Sequence, residues 1–176
     1  MTQVPAGPSI ASVADLLAVA YRIEADAVQR YTLLADQMQA HNNAELMHIF
    51  RDLARAEGLH AEEICRLSGD PALLERAQSL TDWPEGESPE EADLGATHYL
   101  MTPWHALQLS LQCEKRALEF FSSVVETTRD PKVKEMAAEF VEEEAEHVNL
   151  VYRLLRKYPR PTGSWPDDSD TARAQD

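Results

Sequence analysis

The sequence EGLH at residues 57–60 and the sequence EAEH at residues 144–147 each place a glutamate and a histidine three residues apart. On a helix, this spacing puts both side chains on one face. A single pair of this kind is more often a chance feature of an acidic helix surface than a set of metal ligands. Because the pair recurs in the second half of the chain, the sequence around the two pairs is the part that decides the fold.

The two Glu-x-x-His pairs belong to an internal repeat. A shift of 87 residues aligns the pairs with each other, and a shift of 90 residues aligns Glu24 with Glu114 and Tyr31 with Phe121 in the segments before them. Each half of the chain therefore contains a glutamate, about 30 further residues, and then Glu-x-x-His.

Helix start and stop signals flank the repeated segments. Apolar residues at helical spacing predict four long helices, which run from Ser12 to about Ala40, from a start signal at residues 42–45 to Ser68, from Thr102 to Thr128, and from Asp130 to Tyr158. Short turns within each half predict two antiparallel hairpins, joined by a long crossover at residues 69–101. We expect short helical turns near residues 72–77 and 89–94. The predicted fold class is an all-α four-helix bundle over residues 13–158, with a loose segment at 1–12 and a flexible acidic tail at 159–176.

Composition narrows the possible functions. The chain has 176 residues, of which 44% are hydrophobic, so one domain with a real core is expected. Its 31 acidic and 16 basic residues give a net charge of −15, which disfavours nucleic acid and anionic membranes as partners. The two cysteines, Cys65 and Cys113, do not form a disulfide framework or a four-cysteine metal site. Without a recognisable signal peptide or membrane span, the sequence predicts a cytoplasmic protein.

Four glutamates occupy positions where the helical pattern calls for buried apolar residues. Ionised carboxylates in an apolar core cost several kcal/mol each unless they are compensated. Two divalent cations would balance four carboxylates, and two neutral histidines would add ligands without changing the charge. Such a set resembles the carboxylate-bridged sites of four-helix bundles and suits iron or manganese. The six predicted ligands are Glu24, Glu57, His60, Glu114, Glu144 and His147.

The sequence EKRALEFF at residues 114–121, with Glu-x-x-His 30 residues later, resembles rubrerythrin-like members of the ferritin-like superfamily. So does Glu24 with Tyr31 ahead of the first Glu-x-x-His, and the likeness covers roughly residues 16–158. The resemblance implies a di-iron oxidoreductase that reduces hydrogen peroxide or oxygen, with a role in oxidative-stress defence. It also implies terminal ligands at Glu24 and Glu114, bridging ligands at Glu57 and Glu144, one histidine for each iron, and a hydrogen bond from Tyr31 to a terminal carboxylate.

Two departures from the rubrerythrin pattern change what we expect of the electron donor and of the number of ligands. The four cysteines of a rubredoxin-like domain are absent, so an external electron donor protein is expected. Rubrerythrins usually carry an extra glutamate three residues from the first one in the third helix, whereas Leu111 and Ala117 flank Glu114 here. Six ligands remain, which is closer to ferritins.

Related proteins leave other functions open. An iron-storage ferritin-like protein, a di-manganese catalase-like enzyme and an inactive scaffold remain alternatives. Haem is not expected, because Gly58 stands where bacterioferritins carry a methionine. A 24-subunit shell is disfavoured and a homodimer is expected by resemblance. The remaining histidines, His41, His48, His98 and His105, are interpreted as solvated or structural.

Overall fold

The computed structural model describes residues 8–81 and 102–161. Within these residues it contains five α-helices and no strand, which confirms the predicted all-α class. The helices are α1 (Val13–Ala40), α2 (Ala44–Ser68), α3 (Leu73–Leu80), α4 (Pro103–Thr127) and α5 (Pro131–Lys157). The predicted helical turn near 72–77 belongs to α3, while the one predicted near 89–94 lies outside the described residues.

The helix ends have local causes in the sequence. The side chains of Ser12, Asn43 and Asp130 accept hydrogen bonds from backbone N–H groups in the first turns of α1, α2 and α5. Gly69 ends α2 with φ +56°, in the left-handed region that glycine adopts at little cost. Proline begins both α4 and α5, where its missing N–H costs nothing.

The long helices pair as two hairpins, α1 with α2 and α4 with α5. Helix α1 also contacts α3, α4 and α5, so it lies at the centre of the described structure. In the described ranges, no helix is long and apolar enough to cross a membrane.

The buried core is divided into two apolar clusters. The first lies around Leu16–Ile23 of α1, the start of α5 and the end of α4, and the second lies around Tyr31–Met38, the start of α2 and the start of α4. In α1, α2, α4 and α5 alike, the polar residue of the repeat falls between the part of the helix that enters one cluster and the part that enters the other. A polar layer thus crosses the bundle between two apolar halves.

Candidate metal centre

The polar layer contains one glutamate from each of the four long helices. Glu24, Glu57, Glu114 and Glu144 have exposed fractions of only 2%, 1%, 1% and 3%. Carboxylates are almost never this buried unless they are paired or bind a metal. The buried positions expected from the helical pattern are therefore the observed ones.

The two histidines of the repeat lie beside these carboxylates. Their rings stack with centroids 5.5 Å apart and an interplanar angle of 7°. Nδ1 of His60 is 3.2 Å from Glu57 Oε2, and Nδ1 of His147 is 3.4 Å from Glu57 Oε1. Glu57 thus lies between the two imidazoles. Nδ1 of His147 is also 3.5 Å from Glu114 Oε2 and 3.8 Å from an oxygen of Glu144.

Several polar atoms of this layer are buried without a hydrogen-bond partner in the described residues. They are both carboxylate oxygens of Glu57, one carboxylate oxygen of Glu144 and Nδ1 of His60. Each is an atom that binds metal ions, and a group left unsatisfied in this way costs about 1–3 kcal/mol. These atoms fit bound cations, which would supply the missing interactions.

The donor atoms fall into two overlapping groups. One is formed by Glu57, His60 and His147, the other by Glu114, Glu144 and His147, and the donor atoms within each group lie within 4.8 Å of one another. Glu24 is in neither group, but its Oε2 is 3.8 Å from His60 Nδ1. The fold therefore brings all six predicted ligands into one layer, and carboxylate with imidazole is a donor set suited to iron or manganese.

Without metal ions, protons compensate the buried charge. Burial raises the pKa of Glu24 to about 8 and that of Glu144 to about 7. The carboxylates of Glu24 and Glu57 raise the pKa of His60 to about 10. Burial alone would lower the pKa of His147, but Glu114 and Glu144 outweigh it and raise the value to about 11. Cations that enter this layer must therefore displace protons.

Glu114 differs from the other three carboxylates because it has a buried cation beside it. Nη2 of Arg30 donates a hydrogen bond to Glu114 Oε1 at 2.7 Å, and the hydroxyl of Tyr31 donates to the same oxygen. Burial tends to raise the pKa of Glu114, but Arg30 and His147 overcome this tendency and lower it. Burial and the charge of Glu114 raise the pKa of Tyr31 well above its usual value, so its hydroxyl remains a donor.

Sequence reasoning identified Tyr31 but missed Arg30. The available signal was helical spacing, since Arg30 follows Ala27 by three residues and precedes Leu34 by four on the inward face of α1. A charged residue at such a position requires a buried partner of opposite charge. The helical spacing of α1 does not identify Glu114 as this partner.

Residues interpreted as structural lie away from this layer. Nδ1 of His105 is 2.7 Å from Thr102 Oγ1, and its ring packs edge-on against Trp104. Because the hydroxyl of Thr102 contacts His105, it makes no capping hydrogen bond to the first turn of α4. His41 and His48 are exposed, and His98 lies outside the described residues.

A small cavity of about 80 Å³ lies beside His60, between α2 and α5. Its wall combines apolar and acidic side chains and is formed by His60, Glu63, Ile64, Leu67, Met136, Glu139, Phe140 and Glu143. The side chain of His60 is 33% exposed, the largest exposure among the six predicted ligands. The His60 side is thus the more accessible side of the layer.

Comparison with known proteins agrees with this architecture. The family model described as rubrerythrin matches residues 15–100. A crystal structure of an uncharacterised conserved protein from Magnetospirillum magnetotacticum is 37% identical and superposes with a TM-score of 0.68, covering 87% of this chain and 99% of that one. No curated protein matches significantly. With these similarities and a helical bundle that carries the repeated Glu-x-x-His motif, the chain belongs to the rubrerythrin family of the ferritin-like superfamily.

Proposed function

We propose that this protein is a di-iron oxidoreductase that reduces hydrogen peroxide or oxygen. The observation that carries the proposal is a layer of four buried glutamates, of which Glu57 lies between two histidines and has two oxygens without hydrogen-bond partners among the described residues. The proposed ligands of the two ions are Glu24, Glu57, His60, Glu114, Glu144 and His147.

The position of Glu57 favours a bridging role. Its two oxygens face different imidazoles, Oε2 toward His60 and Oε1 toward His147. A carboxylate placed in this way would hold two cations, one through each oxygen. Glu144 contributes an oxygen that is likewise without a hydrogen-bond partner in the described residues.

Small oxidants suit the surroundings of this layer. Reduction of hydrogen peroxide to two water molecules consumes two electrons and two protons, and two ferrous ions supply the electrons when bound. At about 80 Å³, the cavity beside His60 has room for a molecule of two heavy atoms. The apolar clusters on both sides of the layer keep bulk water away from the remaining ligands.

Electrons for repeated turnover require a donor. The two cysteines of this sequence do not provide the four thiolates of a rubredoxin-type iron site. We therefore propose that a separate electron donor protein re-reduces the centre. A homodimer in the cytoplasm is part of the same proposal, by analogy with rubrerythrins.

Stopped-flow mixing of the anaerobic, ferrous-loaded protein with peroxide, and separately with oxygen, tests the proposal. Rapid consumption of peroxide over many turnovers in the presence of a chemical reductant is the expected result. Glu57→Ala should abolish it, whereas Glu62→Ala, at an exposed position on the same helix, should not. Inertness of the parent toward both oxidants would overturn the proposal.

Two further measurements, iron uptake per chain and oxygen release by the manganese-loaded protein, separate the alternatives. Slow uptake of many iron ions per chain would instead indicate an iron-storage protein. Release of oxygen from peroxide without a reductant, by the manganese-loaded protein alone, would indicate a catalase-like enzyme. Each outcome excludes the peroxidase reaction as the main activity.

A further inference from the structure

Arg30 is a buried positive charge within the candidate metal centre. Its side chain is 1% exposed, and a guanidinium remains protonated at any ordinary pH. Its Nη2 lies 2.7 Å from Glu114 Oε1, and its Cζ lies 4.2 Å from the centroid of the Tyr31 ring. The guanidinium is therefore held in place by two neighbours that belong to the same layer.

Oε1 of Glu114 has little capacity left for a metal ion. A carboxylate oxygen has two lone pairs, and this one accepts hydrogen bonds from both Arg30 and Tyr31. Oε2 points to the other side, 3.5 Å from His147 Nδ1. Only Oε2 is free to bind an ion.

The internal repeat shows that only the first half of the chain carries these two hydrogen-bond donors. The shift of 90 residues that aligns Glu24 with Glu114 aligns Arg30 with Phe120 and Tyr31 with Phe121. Phenylalanine donates no hydrogen bond and carries no charge. At these two aligned positions, the second half of the chain therefore offers Glu24 neither of the donors that hold Glu114.

We propose that Arg30 is a positioning residue that confines Glu114 to a single metal-binding oxygen and favours the ferrous state of the ion beside it. The inference rests on the proposed di-iron function. The four glutamates with Arg30 contribute a charge of −3 rather than −4. Because a fixed positive charge repels a ferric ion more strongly than a ferrous ion, it shifts the equilibrium toward the reduced form.

The asymmetry also assigns different roles to the two terminal carboxylates. Glu114 keeps one orientation in both oxidation states, because changing it would break two buried hydrogen bonds. Glu24 lies on the accessible side of the layer, next to His60, and can change the number of oxygens it binds with. Any rearrangement of the centre during the reaction occurs on the Glu24 side.

A redox titration of the iron-loaded protein tests the role of the charge. Each ferric ion takes up one electron from dithionite through mediator dyes, and the oxidised fraction is followed by its absorption. In Arg30→Gln, the ratio of oxidised to reduced iron at a given potential should rise about tenfold or more. Arg30→Lys retains the charge and should stay within about threefold of the parent. The control Arg22→Gln, on the same helix but paired with Asp26, should leave the ratio unchanged.

Each outcome bears on the inference. An unchanged ratio in an Arg30→Gln protein that binds two irons would overturn it while leaving the proposed function intact. If Arg30→Gln does not fold, a tenfold change in Arg30→Lys would overturn it instead, and a ratio close to the parent would support it. A parent protein that binds no pair of irons would refute the proposed function itself.

A second readout does not depend on redox chemistry. In a crystal structure of the parent with zinc bound, Glu114 should bind through Oε2 alone and keep its contacts with Arg30 and Tyr31. Glu114 bound through both oxygens would contradict the inference.

Discussion

Replacement of Glu57 by methionine would separate the cost of a buried carboxylate from the benefit of the metal. Glu57 is almost completely buried, and neither of its oxygens has a hydrogen-bond partner in the described part of the chain. Methionine has a similar length and adapts its shape to the space available. In the metal-free protein, the substitution should therefore remove a desolvation cost without opening a large cavity.

The expected magnitude follows from the surroundings of Glu57. A buried polar group without a partner costs about 1–3 kcal/mol, and more when it is charged. At pH 7 the imidazoles of His60 and His147, 3.2 and 3.4 Å away, are protonated, and their attraction to Glu57 offsets most of this cost. We therefore expect the free energy of unfolding of metal-free Glu57→Met to stay within about 1 kcal/mol of the parent. For a protein of this size, Tm should change by no more than about 4 °C.

Metal ions should make the parent the more stable of the two proteins. A ligand at 100 times its Kd stabilises the folded state by about 2.7 kcal/mol. The parent should gain this stabilisation with ferrous ions under anaerobic conditions, whereas Glu57→Met lacks the proposed bridge and should gain little. Glu62→Met, at an exposed position of α2, should change either value by no more than about 0.5 kcal/mol.

Thermal and urea unfolding followed by circular dichroism, with chelator and then with ferrous ions, measure these differences. The reasoning would be refuted if metal-free Glu57→Met were less stable than the parent by more than about 2 kcal/mol while Glu62→Met matched it. Such a result would mean that Glu57 stabilises the fold without any cation.

Four further predictions concern metal binding, protons and the backbone. Glu144→Ala should lower the number of bound ions per chain from two to at most one, whereas His105→Ala should leave it at two, as measured by elemental analysis. At pH 7, Glu24 with its pKa of about 8 is mostly protonated, Glu144 with its pKa of about 7 is half protonated, and both site histidines are protonated. Loading two ions should therefore release about three protons, which calorimetry in buffers of different ionisation enthalpy measures; release of less than one would contradict the compensation by protons. These raised pKa values stabilise the folded metal-free protein at low pH, and this stabilisation is lost as the pH rises from about 4.5 through 8 for the glutamates and from 6.5 toward 10–11 for the histidines. Protein from which a chelator has removed all metal should thus have a lower Tm at pH 9 than at pH 5. An equal or higher Tm at pH 9 would refute this pH dependence. Gly69→Ala should destabilise the protein by about 1 kcal/mol in urea unfolding, because alanine is strained at φ +56°.

Much of the fold could be predicted because its signals are local. The caps Ser12, Asn43 and Asp130 and the stop at Gly69 each act on the adjacent turn of helix, and the structure places the helix ends within about one residue of them. Thr102 shows the limit of such rules. Its side chain contacts His105 instead of capping α4, and the first turn begins at Pro103 all the same.

The inward position of the four glutamates was predictable from the sequence, but Arg30 and the contacts of individual atoms were not. Helical spacing placed Glu24, Glu57, Glu114 and Glu144 on inward faces, and all four are buried as predicted. Which oxygen faces which imidazole depends on the relative rotation of the helices. No spacing rule supplies that rotation.

The sequence by itself determined the helices, the repeat and the inward position of the carboxylates, because periodicity and capping act within a few residues. Only the tertiary structure decided that Arg30 of the first half pairs with Glu114 of the second half. Arg30 and Glu114 are 84 residues apart in the chain, and their contact exists because α1 packs against α4. A buried charge finds its partner through packing, and packing is a property of the assembled bundle.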